Sequence, residues 1–258
     1  MSTSSPVDKF KRPLWEHIDE LLIRLRRAFL WLLVGFMVGY GFSEKGVELL
    51  KLPIESIRQS NPEFPVPQII VTEIFEALWA YLKIAFVSGC TLAILPIGIE
   101  IAGFVGPGLR AVEKRRILWL TVSFFSVFVG GVYLGYEFVL PEVLKAVLRF
   151  GGDAGQPHWR VISYINTSLG VLLITALILE LPVVMVFSTS WGWVDAKTWA
   201  RGRRISIVGN AFVSAILSPP DAMSMIIMMV PVQVLYEVGV QLSALVGSLK
   251  KQKEPQPS

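Results

Sequence analysis

The sequence predicts an all-α, polytopic membrane protein with six transmembrane helices and both termini in the cytoplasm. Three observations lead there. Of the 258 residues, 53% are hydrophobic and only 17% are charged, whereas a soluble domain carries about 25% charged residues; the mean hydropathy is +0.58. Several apolar runs approach ~20 residues, the length that spans ~30 Å of hydrocarbon. Lys and Arg are partitioned between alternate connections. Seventeen fall in the N-terminal segment, the loops after the second and fourth runs, and the tail, and six fall in the remaining connections. The positive-inside rule puts the richer set in the cytoplasm. Spans of this kind pack on one another, so residues 1–258 read as one domain. Cys90 is the only cysteine, which rules out an intrachain disulfide. The sequence pI of about 9.2 follows from the cytoplasmic loops, and no interleaved aromatic and basic pattern points to nucleic acid.

Residues 1–27 are polar, then amphipathic. Trp15, Ile18, Leu21, Leu22 and Leu25 recur at helical spacing, with His17, Glu20, Arg24 and Arg27 on other faces. This is the pattern of a cytoplasmic interfacial helix that runs into the first span, about Ala28 to Phe42. No small-residue cleavage site follows that run, so it reads as a retained span. Ser43 to Glu73 is a long external connection with Pro53, Pro62, Pro65 and Pro67, in which Lys51–Gln59 has the period of a short amphipathic helix. The second span, Glu76 to Ile101, contains Lys83 and Pro96. The third is Ile117 to Leu140. An external segment with a short helix at Pro141–Phe150 follows, and then the fourth span, Tyr164 to Ser188, which contains Glu180-Leu-Pro182. Trp191 to Arg204 is a second basic loop. The fifth run, Ile205 to Leu217, is short and ends in the turn Ser218-Pro-Pro-Asp221. The sixth, Ala222 to Val246, is interrupted by Pro231 and Glu237. Residues 248–258 form a basic, Pro-rich tail with the composition of a disordered segment.

Two features of this frame are costly and therefore informative. Thirteen helical residues in the fifth run rise only about 20 Å. A hairpin that short thins the bilayer or binds a partner, unless the span extends into Arg204 by snorkelling. Lys83, Glu180 and Glu237 lie inside apolar runs, where ionisable groups face a cavity, a partner or one another. Lys83 is near enough to the external side to snorkel, and Glu237 near enough to the cytoplasmic side to be structural. Glu180 sits two residues before the kink of Pro182. It has two readings: a functional carboxylate in a wet cavity or against a polar partner, and a structural pair with Thr175 or Tyr164.

The rest is organised around the basic loop from Gly103 to Arg116, with Arg110, Lys114, Arg115 and Arg116 around the carboxylate of Glu113. Pro107 and Gly108 break the helix that enters it. Glu113 and Glu20 are the carboxylates set into this otherwise basic face, and together they would receive a positively charged ligand. The bland alternative is an i,i+4 surface pair, Glu20 with Arg24 and Glu113 with a nearby arginine.

A set of motifs, in order from Trp15 to Gly239, favours the first alternative. His17-Ile-Asp-Glu20-Leu-Leu-Ile-Arg24, the loop residues Phe104, Pro107, Leu109 and Glu113, then Gly131, Tyr136 and Pro141, Glu180-Leu-Pro182, Pro219-Pro-Asp221, and Pro231 with Tyr236-Glu237-Val-Gly239 together resemble TatC, the multispanning subunit of the twin-arginine protein translocase. Leu22 stands where the family pattern has an arginine, Ile74 where it has a proline, Glu100 and Ala102 where it has Gln and Trp, and Met225 where many members are polar. The resemblance implies a receptor at the cytoplasmic membrane that binds the twin-arginine signal peptides of folded cargo through Glu20, Phe104, Pro107, Leu109 and Glu113. It also implies oligomerisation, recruitment of single-span TatA/TatB-type subunits near Glu180, Pro182, Asp221, Glu237 and the fifth–sixth hairpin, and export driven by the proton-motive force.

Other classes fit less well. A solute transporter built from two repeated halves has matching broken helices, which this sequence lacks. An intramembrane protease needs a nucleophile with His, or paired aspartates, within the spans; His17 and His158 lie outside them and Asp221 stands alone. There is no P-loop, so no nucleotide is expected, and no other cofactor, metal or catalytic residue is called for.

Overall fold

In the computed structural model, described for residues 14–60, 67–105, 111–151, 158–217 and 222–253, nearly every described residue is helical. The order is α1 (Leu14–Gly41), α2 (Ser43–Ser60), β1 (Gln68–Ile70), α3 (Glu76–Val105), α4 (Ala111–Leu134), a π-helical turn (Gly135–Val139), α5 (Leu140–Gly151), β2 (His158–Arg160), α6 (Val161–Trp191), α7 (Ala196–Arg201), α8 (Arg203–Leu217) and α9 (Ala222–Lys253). Among the described residues four helical stretches are long and apolar enough to cross a membrane: Glu76–Phe104, Lys114–Arg149, Val161–Trp191 and Met228–Leu249. The expected first and fifth spans are not among them. Arg24, Arg26 and Arg27 crowd the first half of α1, and α8 has 15 residues.

The closest packing is between α1 and α3. Gly35 and Gly39 lie one turn apart on α1, and Ala85 and Gly89 are spaced the same way on α3. A Cβ at Gly35 would stand 2.5 Å from the Gly89 carbonyl oxygen, and one at Gly39 would stand 2.5 Å from that of Ala85. Small residues four apart let two backbones touch, which is how helices associate where lipid supplies no hydrophobic drive.

One end of the bundle is closed by a cap. The connection 43–60 is a full helix, longer than the Lys51–Gln59 segment its sequence suggested. Val47, Leu50, Ile54 and Ile57 form its buried stripe, while Glu44, Lys45 and Glu48 face outward. That stripe packs on Val143, Leu144 and Leu148 of α5 and on Tyr164, Ile165 and Leu169 of α6. Pro53 has no N–H for the Leu49 carbonyl four residues back, and the Tyr136 hydroxyl donates to it at 2.7 Å. The Tyr164 hydroxyl donates to the neighbouring Leu50 carbonyl. Pro141 does not interrupt the third span: α4, the π-turn and α5 are continuous from Lys114 to Arg149. The Leu140 N–H reaches back to the Gly135 carbonyl, so a one-residue widening before the proline absorbs its missing bond.

Two three-residue strands pair in parallel beside this cap, with Gln68 opposite His158 and Ile70 opposite Arg160. Glu76 ties them to the bundle. One carboxylate oxygen accepts from the Thr72 N–H and hydroxyl, both at 2.8 Å, and from the Glu73 N–H at 3.2 Å. The other accepts from the Ile162 N–H at 3.1 Å. Arg160 pairs with Glu73 at 2.6 Å and approaches Glu76 at 3.6 Å. Lys83 donates to Asn166 on α6 at 2.7 Å. The tail differs from its expectation in part, because α9 stays helical through Lys253.

Candidate functional site

The opposite end gathers the start of α1, the end of α3 and the start of α4. Five residues join α3 to α4, so those two ends lie on one side of the bundle. Here Arg24 reaches from α1 toward α3. Its Nη2 and Nε donate to one oxygen of Glu20 at 2.8 and 3.1 Å. Its Nη1 lies 3.4 Å from both the carboxylate and the backbone carbonyl of Glu100. Arg27 approaches the same Glu100 oxygen at 4.0 Å. The Arg24, Glu20 and Glu100 side chains are 23%, 20% and 16% exposed, whereas Arg27 is 59% exposed. The i,i+4 pair expected between Glu20 and Arg24 therefore exists, and a second carboxylate shares its arginine.

Of the loop residues singled out in the sequence, Phe104 is half-buried at the end of α3. Pro107 and Leu109 lie outside the described residues, as does the Glu113 side chain, although Glu113 is in the first turn of α4. Glu100 was noted in the sequence only as a departure from a pattern. A carboxylate in the last turns of an apolar helix, a short step before a basic loop, is itself a signal of the same kind as Glu180.

Glu180 lies in the middle of α6 and is 3% exposed. Neither of its carboxylate oxygens has a hydrogen-bond partner among the described residues. The structural alternative for it is not realised: Thr175 bonds back to the Val171 carbonyl at 2.8 Å, and Tyr164 is engaged by α2. A buried carboxylate left without partners is expensive. Pro182, one half-turn on, packs its Cα where a Cβ on Gly239 of α9 would come within 3.1 Å. Here α4, α6 and α9 frame an open groove of about 960 Å³. Trp119, Pro182, Val186, Phe187 and Leu242 line it, and Arg115 and Arg116 stand at its α4 end.

The last hairpin is laced by polar pairs. Arg203 donates to Glu237 at 2.9 Å, Asn210 to Gln233 at 2.6 Å, and the Tyr236 hydroxyl to the Trp199 carbonyl at 2.8 Å. Glu237 thus has a charged partner within the hairpin. Asp221, in the turn of the hairpin, lies outside the described residues.

Comparison with known proteins identifies the family and supports the fold. Residues 16–231 match the family model described as Sec-independent protein translocase protein (TatC). A relative of that name from Desulforapulum autotrophicum is 30% identical over 95% of this chain and 88% of its own length. One from Deinococcus radiodurans is 28% identical over 98% and 94%. A crystal structure of the twin-arginine translocase receptor TatC superposes with a TM-score of 0.72 at 28% identity, covering 89% of this chain and 99% of the other. With a family model spanning most of its length and a relative at this identity over nearly all of it, the chain belongs to the TatC family, membrane-embedded components of the Sec-independent, twin-arginine protein translocase.

Proposed function

We propose that this chain is the signal-peptide receptor and core of its translocase. It binds the twin-arginine signal peptides of folded proteins at its cytoplasmic face and recruits single-span TatA/TatB-type subunits for export driven by the proton-motive force. α1 and α8 complete six spans, with both termini cytoplasmic, as the charge partition favours.

The observation that carries this reading is the guanidinium held by carboxylates where α1 meets α3. A twin-arginine motif presents two permanently charged planar forks, which recognise carboxylates by paired hydrogen bonds. Glu20 binds such a fork in the chain's own Arg24. Glu113 is the second receiving carboxylate, and Phe104, Pro107 and Leu109 shape the loop between them. The apolar part of the signal lies along the groove framed by α4, α6 and α9. Glu180, Pro182, Asp221 and Glu237 mark the face where partner helices dock. A buried carboxylate without an internal partner is a ready acceptor for a polar group carried in by such a helix.

The test is photo-crosslinking of a twin-arginine signal peptide to the purified protein. Wild type is expected to capture it, while Glu20→Ala, Glu113→Ala and a Lys-Lys peptide each lose capture. Equal capture of the Arg-Arg and Lys-Lys peptides would remove the reading.

A further inference from the structure

The seat of Arg24 is more shaped than a surface ion pair requires. Its walls come from two helices, Glu20 on α1 and Glu100 on α3, 80 residues apart in sequence. Its floor is Gly103. A Cβ there would collide with Nη1 of Arg24 and lie 3.0 Å from its guanidinium carbon, so the guanidinium as placed would have to shift to admit a side chain at this position. The occupant is nonetheless weakly held. Both contacts to Glu100 are 3.4 Å, at the long limit of a hydrogen bond, and the two donors to Glu20 share one oxygen. Among the described residues, the carboxylates of Glu20 and Glu100 meet the guanidinium groups of Arg24 and Arg27 here. Once Arg24 leaves, the seat is a pair of carboxylates spaced to bridge one planar fork.

We propose that Glu100 is a guanidinium-binding residue of the receptor site, and that Arg24 is its resident occupant, displaced by an arginine of the incoming signal. The inference rests on the receptor reading above and deepens it by naming a further carboxylate and an internal competitor. It also supplies discrimination. An ammonium is a compact point charge and cannot span both carboxylates in one plane, so a lysine displaces Arg24 poorly.

The experiment measures equilibrium binding of a fluorescent twin-arginine signal peptide and its Lys-Lys counterpart to the full chain in lipid nanodiscs. Arg24→Gln removes the competitor and is expected to tighten Arg-Arg binding about tenfold. Gly103→Ala keeps every charge but forces the guanidinium to shift, and tightens binding in the same direction. Arg24→Lys, the conservative replacement, tightens it by a smaller factor. Glu100→Gln weakens Arg-Arg binding about tenfold and narrows the Arg-Arg over Lys-Lys preference. If wild type prefers Arg-Arg but Arg24→Gln and Gly103→Ala bind no more tightly, or Glu100→Gln is unchanged, this inference is overturned and the receptor reading stands. If wild type shows no preference at all, both fall together.

Discussion

Glu76 and Glu180 are both buried glutamates on transmembrane helices, and they mark opposite designs. At the capped end Glu76 accepts four hydrogen bonds and stands beside Arg160. Around it the hydroxyls of Tyr136 and Tyr164 serve carbonyls of α2. Polar groups there are consumed in holding a cap closed. Toward the other end Glu180 is equally buried and meets no partner among the described residues. The Glu20–Arg24–Glu100 cluster is part-exposed, with Glu100 held only at 3.4 Å, and the groove framed by α4, α6 and α9 is open. Satisfied carboxylates lock a fold, and unsatisfied or exchangeable ones are available to a ligand.

The sharpest way to break this contrast is at the helix contact beneath the cap. Gly39→Leu drives a side chain into the backbone of α3, and overpacking of this kind costs about 1–3 kcal/mol or more. The expected result is loss of the monodisperse, folded protein in detergent. Glu76→Ala strands three backbone N–H groups and the Thr72 hydroxyl, and leaves Arg160 to Glu73 alone. Its thermal midpoint should fall by roughly 5–10 °C, with signal-peptide affinity per folded molecule unchanged. Tyr164→Phe leaves the Leu50 carbonyl without its donor and should cost about 1–3 kcal/mol, read as a smaller drop in thermal midpoint. Glu180→Gln removes a charge that no described group compensates. Its midpoint should stay level or rise while export of a twin-arginine reporter drops severalfold. A large fall in stability would instead reveal a structural partner for Glu180. The smallest effect is in the bilayer: spin labels along the 15-residue α8 should report a shallower hydrocarbon depth than labels on α6, and equal depth would rule out local thinning.

The sequence made the long apolar helices plain, because α3, α4, α6 and α9 need only composition and length. Other elements needed context. Lys51–Gln59 was legible as a helical period, Pro53 included, but the start of α2 at Ser43 and the burial of Val47 and Leu50 depend on α5 and α6. Pro141 looked like the end of a span, since the π-turn that accommodates it leaves no mark in the sequence. The pairing of residues 68–70 with 158–160 joins segments 90 residues apart and six residues in all, too short to have a period. The contact of Gly35 and Gly39 with Ala85 and Gly89 went unread, because the spacing alone does not say which helices meet. At the candidate site, motif order pointed to Glu20 and Glu180. The role of Glu100 emerged only in space, because nothing in the sequence says that α1 lays Arg24 across the end of α3.

The most direct test is the affinity of the purified, lipid-embedded chain for an Arg-Arg signal peptide and its Lys-Lys counterpart, with wild type compared with Glu20→Gln and Glu76→Gln. The predicted result is a clear Arg-Arg preference in wild type and in Glu76→Gln, and its loss in Glu20→Gln. A preference that survives in Glu20→Gln, or that vanishes equally in Glu76→Gln while the protein stays folded, would contradict the division between a structural, capped end and a receiving end opposite it.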